Sequence, residues 1–189
     1  MEFENLFKVL NSLHLTTDEF KEVVTKEMTP VSYPKSYLLS EAPRVAEYAY
    51  FIQTGFAMSF FYIEGKKHVN NFWKQDQIMC LAQSFVDQVP SKEHIQLMED
   101  SDLLCLSHSS LIKLFNNFSE SHILYRIVIN QYFQHSQERI LDMQRLSASA
   151  RFEKLLHIFP EIEQIIPQEY LASYLGITPQ SLSRIKRKK

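Results

Sequence analysis

Residues 168–187 read QEYLASYLGITPQSLSRIKR, and this stretch decides how the chain ends in space. Two short helices joined by a tight turn need a small residue where they cross and a residue that accepts positive φ in the turn. Ala172 and Gly176, four positions apart, supply the two. Leu171, Leu175, Ile177, Leu182 and Ile185 are spaced to form a shared core. Thr178 can cap the second helix, and Pro179 then sits in its first turn, where a missing N–H costs nothing. The polar side of that helix shows Gln180, Ser181, Arg184, Arg187 and Lys188. Spacing, turn chemistry and charge together describe a helix-turn-helix, whose second helix enters the major groove of double-stranded DNA. The plainer alternative is an αα-hairpin with a solvated basic end.

The charge distribution favours the first of these. The formal net charge of the 189-residue chain is −2, yet residues 167–189 hold five basic side chains (Arg184, Lys186, Arg187, Lys188, Lys189) against Glu169. That segment is +4 and the preceding 166 residues are −6. A polyanion is attracted to the tail and repelled by the rest.

Upstream lies helix. Residues 119–146 contain neither Pro nor Gly, and Ile129, Phe133, Ser136, Ile140 and Met143 are spaced as a heptad-like seam. A helix of about 28 residues is about 42 Å long. It outruns a small barrel, so part of its apolar face is expected to lack a partner within the chain, and a twofold homodimer would bury it; the alternative is a helix packed wholly on its own barrel. Ser147-Ala148-Ser149-Ala150 is the expected hinge. A further helix carries Phe152, Leu155, Leu156 and Phe159 on one face and ends near Pro160.

Further upstream, residues 29–107 read as strands. Aromatic and β-branched residues cluster in 48–52, 56–63, 69–73, 95–98 and 103–106, broken by turn-like groups such as Gln53-Thr54-Gly55 and Val89-Pro90-Ser91. Residues 56–63, Glu64-Gly65 and 66–73 read as a hairpin. Short strands at this spacing suggest a small antiparallel barrel or sandwich, with 83–87 a short helix within it. Before it, Phe3, Leu6, Phe7 and Leu10 fall at helical spacing. Thr16 with Glu19 makes a capping-box pattern ahead of Phe20, Val23 and Val24.

Composition narrows the function. Apolar residues are 45% and charged residues 22%, which excludes a disordered chain or a rod. No apolar run reaches the roughly 18 residues of a membrane span, and the acidic N-terminus is unlike a secretory signal, so a cytoplasmic, membrane-free protein is expected. Cys80 and Cys105 are too far apart for a metal-binding pair and read as reduced, buried thiols. The seven histidines are scattered, and neither phosphate-cradling nor nucleophile motifs occur among only three glycines. The chain therefore does not read as an enzyme, and no metal or other cofactor is expected.

The whole order resembles the Crp/Fnr transcriptional regulators. YLASYLGITPQSLSRIKRK is very similar to that family's DNA-reading motif, and YFIQTG at 50–55, the Glu-Gly-Lys hairpin and residues 99–104 match its barrel. The resemblance implies an α+β fold: an N-terminal antiparallel jelly-roll barrel of cyclic-nucleotide-binding type, a long dimerisation helix and a C-terminal helix-turn-helix. The expected domains are 1–118, 119–146 and 147–189. It also implies an effector-controlled regulator, with double-stranded DNA and RNA polymerase as partners.

Gln180 and Arg184 align with base-contacting positions, and Gln to adenine and Arg to guanine are the favoured pairings. Thr178, Ser181, Ser183, Arg187 and Lys188 are candidates for phosphate contact. Pro179 stands where better-known members place Arg, so their operators cannot be carried over.

The effector cassette departs further. Members that bind cyclic AMP carry Gly-Glu and an Arg in a stretch that here reads from Gln77 to Glu93, with Lys92 near the Arg position and no ribose-binding carboxylate. A small effector other than cyclic AMP, or none, is expected, and a pocket would have Met58, Met79, Cys80, Gln83, Ser84, Lys92 and Ser136 as its candidate lining. Ser136 is favoured instead as a residue of the dimer seam. The alternative to a working regulator is a ligand-binding or protein-interaction module with a vestigial DNA-binding head.

Overall fold

In the computed structural model, which describes residues 3–14 and 17–187, the strand-rich stretch is a jelly roll of two antiparallel four-stranded sheets. One orders β1 (Met28–Tyr33), β8 (Ser101–Ser107), β3 (Tyr48–Thr54) and β6 (Ile78–Met79). The other orders β2 (Leu38–Ser40), β7 (His94–Leu97), β4 (Phe56–Ile63) and β5 (Lys66–Lys74). The inner faces meet through Ile52, Ala57, Ile95, Leu97 and Leu103, all buried. The α+β jelly-roll expectation is met. Strands β1, β2 and β6, for which the sequence showed no clear apolar run, complete it.

β4 explains its own sequence. Its run FAMSFFYI is apolar almost throughout because most of the strand is covered on both faces. Ala57 faces the barrel interior, while Phe56, Met58 and Phe60 point the other way and pack with Phe152, Leu155, Phe159, Leu171 and Leu175. The C-terminal helices therefore sit on the outer face of this sheet. Opposite, β5 carries a bulge: Ser59 pairs with Asn71 and Phe60 with Val69, which leaves Asn70 without a ladder partner.

The β4–β5 hairpin turns on two residues in left-handed conformation, Glu64 (φ 50°) and Gly65 (φ 75°). Two positive φ values match a type I′ turn, which favours Asn at the first position. Glu64→Asn is expected to stabilise the protein by about 0.5–1 kcal/mol, read as a rise in the urea midpoint at unchanged slope.

Helices α1 (Glu4–Ser12) and α2 (Asp18–Glu27) bury Leu6, Leu10, Phe20 and Val24 against Phe51 and Leu104. The residue that caps α2 is Thr17, whose hydroxyl accepts the Phe20 N–H at 3.3 Å. Thr16 lies outside the described residues. Two further helices follow along the chain, α3 (Ala82–Asp87) and α4 (His108–Asn117), the second capped by the Ser107 hydroxyl accepting the Ser110 N–H at 3.1 Å.

α5 (Ser119–Arg145) is the long helix, about 40 Å at 1.5 Å per residue. Its seam is left uncovered, with Phe133 62% and Ile140 53% exposed. The expected four-residue hinge is shorter than predicted. Ser147 caps α6 (Ala148–Ile158) by accepting the Ala150 N–H at 3.2 Å, so Ala148, Ser149 and Ala150 are helical and only Leu146 and Ser147 break the chain direction. Helices α7 (Ile162–Ile165), α8 (Gln168–Tyr174) and α9 (Pro179–Lys186) complete the C-terminal head. Among the described residues no helix is long and apolar enough to cross a membrane.

Candidate nucleic-acid interface and barrel cavity

α8 and α9 form the two-helix unit. Ala172 is fully buried at the crossing, and Gly176 takes φ 67° in the turn. The Ile177 N–H closes the turn on the Ala172 carbonyl at 3.0 Å. Leu171, Leu175 and Leu182 are buried in the shared core, with Ile177 and Ile185 half-buried beside them. Thr178 is the cap: its hydroxyl accepts the Ser181 N–H at 3.2 Å and lies 3.0 Å from the Ser181 hydroxyl. Gln168 braces the start of α9 by donating to the Pro179 carbonyl at 2.9 Å.

This packing fixes which side of α9 faces outward. Thr178, Gln180, Arg184 and Arg187 are exposed, and Ser181 and Ser183 are half-buried at the flanks. Lys186 is tied inward by an ion pair with Glu163 at 2.5 Å. Lys188 and Lys189 lie outside the described residues. The outward side thus carries two guanidinium groups and an amide, the groups that pair bidentately with guanine and adenine edges.

The head is docked on the barrel. Phe56 and Phe159 meet edge to face with centroids 5.5 Å apart, and Phe72 packs on Tyr174 at 4.7 Å. The Val69 N–H donates to the Ser173 hydroxyl at 3.0 Å, and Lys74 Nζ donates to the Ile158 carbonyl at 2.9 Å. Lys154 of α6 reaches back to Asp142 (2.7 Å) and Glu138 (3.3 Å) of α5. Arg139 of α5 joins all three parts. Its guanidinium donates to the Val69 carbonyl (3.2 Å), the Asn70 carbonyl and the Tyr174 carbonyl (3.2 Å), and stacks on the Tyr174 ring at 4.3 Å.

A cavity of about 320 Å³ lies between the barrel and α5. Its lining includes Cys80, Gln83, Ser84, Lys92 and Ser136 from the expected set, together with Ser59, Trp73, Tyr132 and Arg139. Two expected residues are elsewhere. Met58 points to the outer face of β4, because strand alternation places it with Phe56 and Phe60 against the head. Met79 is wholly buried in the barrel core. Ser84 is structural: its hydroxyl donates to the Val89 carbonyl (2.6 Å) and accepts the Ala46 N–H (2.9 Å). Ser136 is exposed and belongs to both the seam and the cavity edge.

Tyr132 organises one wall. Its hydroxyl accepts from Trp73 Nε1 and from the Cys80 N–H, both at 3.1 Å. Burial pushes the Cys80 thiol up to about 11, so it stays protonated and unreactive. Burial, then the Arg139 charge, lowers His135, whose Nε2 is 3.4 Å from the Tyr174 hydroxyl. Tyr132, Trp73 and Arg139 gave no sign of this role in the sequence. Ser59 did, as the one polar residue inside the apolar run of β4.

No protein-family model and no curated protein matches the sequence. Solved structures do. A protein described as a transcriptional regulator of the Crp/Fnr family from Eubacterium rectale superposes with a TM-score of 0.74 at 14% identity, covering 92% of this chain and 83% of that one. FixK2 from Bradyrhizobium japonicum gives 0.71 at 17% identity, covering 85% and 83%. A CooA variant from Carboxydothermus hydrogenoformans gives 0.71 at 18% identity, covering 96% and 82%. The chain has the fold of these regulators from barrel to head.

Proposed function

We propose that a chain with this fold and this outward side of α9 is a dimeric, sequence-specific DNA-binding regulator of transcription. The observation that carries the proposal is the exposure of Gln180, Arg184 and Arg187 on a helix whose other side is locked into a core by Leu182. Such a helix presents base-reading groups without needing to refold. The uncovered seam of α5 supports pairing with a second copy, which sets two α9 helices about 34 Å apart on a pseudo-palindromic site. Residues 1–118 then act as sensor, 119–146 as dimer helix and 147–189 as DNA-binding head, with RNA polymerase as a further partner at promoters. The cavity beside Lys92 is the effector site, and the carboxylate on its lining, Glu93, is engaged by the Asn70 amide at 3.0 Å.

Arg184→Ala tests the reading. Its affinity for a selected operator should fall by about 1–3 kcal/mol with relaxed preference at one base pair. Lys188→Ala should instead weaken binding to all sequences and lessen its salt dependence. Equal losses on operator and random duplex for both variants contradict the assignment.

A further inference from the structure

The cavity holds two features that its packing leaves unresolved. The Ser59 hydroxyl is wholly buried, lines the cavity and has no hydrogen-bond partner among the described residues. Native proteins rarely leave such a group unpaired, since the loss costs about 1–3 kcal/mol. Arg139 is the second. It is largely withdrawn from water, and burial lowers its pKa. Its hydrogen bonds run to neutral carbonyls and to the Asn70 side-chain oxygen, at 3.3 Å, and no carboxylate pairs with it among the described residues. The acid on the lining, Glu93, accepts from the Asn70 amide at 3.0 and 3.1 Å, and its charge partly offsets the effect of burial on Arg139. Lys92 adds a second positive charge at the cavity edge.

We infer that the cavity takes a small polar ligand bearing an oxyanion, with Ser59 bonding its neutral part, and that Arg139 passes its arrival to the head. This rests on the barrel being the sensor of the proposed regulator. The physical reason is competition for one guanidinium. A hydrogen bond to an ionised acceptor is about twice as strong as one to a neutral carbonyl. Arg139 lines the cavity while bonding the Tyr174 carbonyl at the last turn of α8 and the carbonyls of the β5 bulge. An oxyanion that draws the fork toward itself removes the bonds that tie α5, β5 and α8 together. The apolar cluster under the head remains, so the ligand shifts a population of docked and undocked heads.

The test uses the full-length chain, with inorganic phosphate and acetate as oxyanion probes and glycerol as the uncharged control. Trp73, the sole tryptophan, lines the cavity and reports occupancy by its emission. Trypsin cleavage after the exposed Arg145, beside the hinge, reports undocking. Phosphate or acetate should change Trp73 emission saturably and speed cleavage several-fold, and glycerol should do neither. The stronger of the two probes tells a phosphate ester from a carboxylate as the natural head group. Arg139→Gln should raise the phosphate midpoint about tenfold and cleave fast with or without phosphate.

Arg139→Lys, which keeps the charge and loses the fork, should bind phosphate and cleave faster than the parent, which separates loss of the link from misfolding. Three results overturn the inference: no saturable oxyanion response, saturation without faster cleavage, or Arg139→Gln and Arg139→Lys behaving like the parent. None of these readouts involves DNA, so a chain that passes them and selects no operator indicts the DNA reading alone.

Discussion

Phe133→Glu combined with Ile140→Glu is expected to make the protein monomeric and to weaken its binding to a two-half-site operator by about 10²–10⁴-fold. Both side chains stand out from α5, 62% and 53% exposed, and lie seven residues apart on one side of the helix. In the single chain neither contributes to a core, so the double variant should keep its stability within about 0.5 kcal/mol. In a twofold pair the same positions face their own copies. Four carboxylates would then share a desolvated seam, a cost that apolar contact elsewhere along the helix does not offset. The affinity falls because a paired head binds its second half-site at a high effective concentration, and a lone head does not. Sedimentation velocity and gel shift on the same samples check both parts. A persistent dimer, or a monomer with undiminished operator affinity, contradicts the seam.

Gly55→Ala should cost about 2–6 kcal/mol, a large share of the stability of a domain. Gly55 has φ 108°, a conformation that L side chains rarely adopt. A Cβ there would also lie 2.0 Å from Ser101 Oγ and 2.9 Å from Ser101 Cα. The second distance is to backbone, which cannot rotate away. Urea denaturation should show the loss, and adding Ser101→Gly should recover only the side-chain part of it. A variant within about 0.5 kcal/mol of the parent would show that the β3–β4 connection relaxes freely.

The helix-turn-helix was legible in the sequence because every determinant is local. Ala172, Gly176, Thr178 and Pro179 act within a few residues of one another, and each sits in the structure where its chemistry requires. The barrel was legible where strands are apolar runs and less so at β1, whose residues are exposed or half-buried, and at β2 and β6, only three and two residues long. The cavity was half legible. Cys80, Gln83, Lys92 and Ser136 reach it, while Met58 fails because β4 is buried on both faces and hydrophobicity cannot tell one face from the other. Arg139 was invisible for a different reason. Its partners Asn70 and Tyr174 are 69 and 35 residues away, and nothing local marks it among the charges of α5. The break expected over 147–150 falls instead at Leu146 and Ser147, since Ser147 can start a helix as readily as it can interrupt one.

Selection from a pool of random duplexes tests the reading role of α9 most directly. The parent protein should enrich a pseudo-palindrome whose half-sites recur about one helical turn apart, and Arg184→Ala should lose preference at one position in each half. A pool that emerges unenriched, with binding that depends on salt and not on sequence, would contradict it.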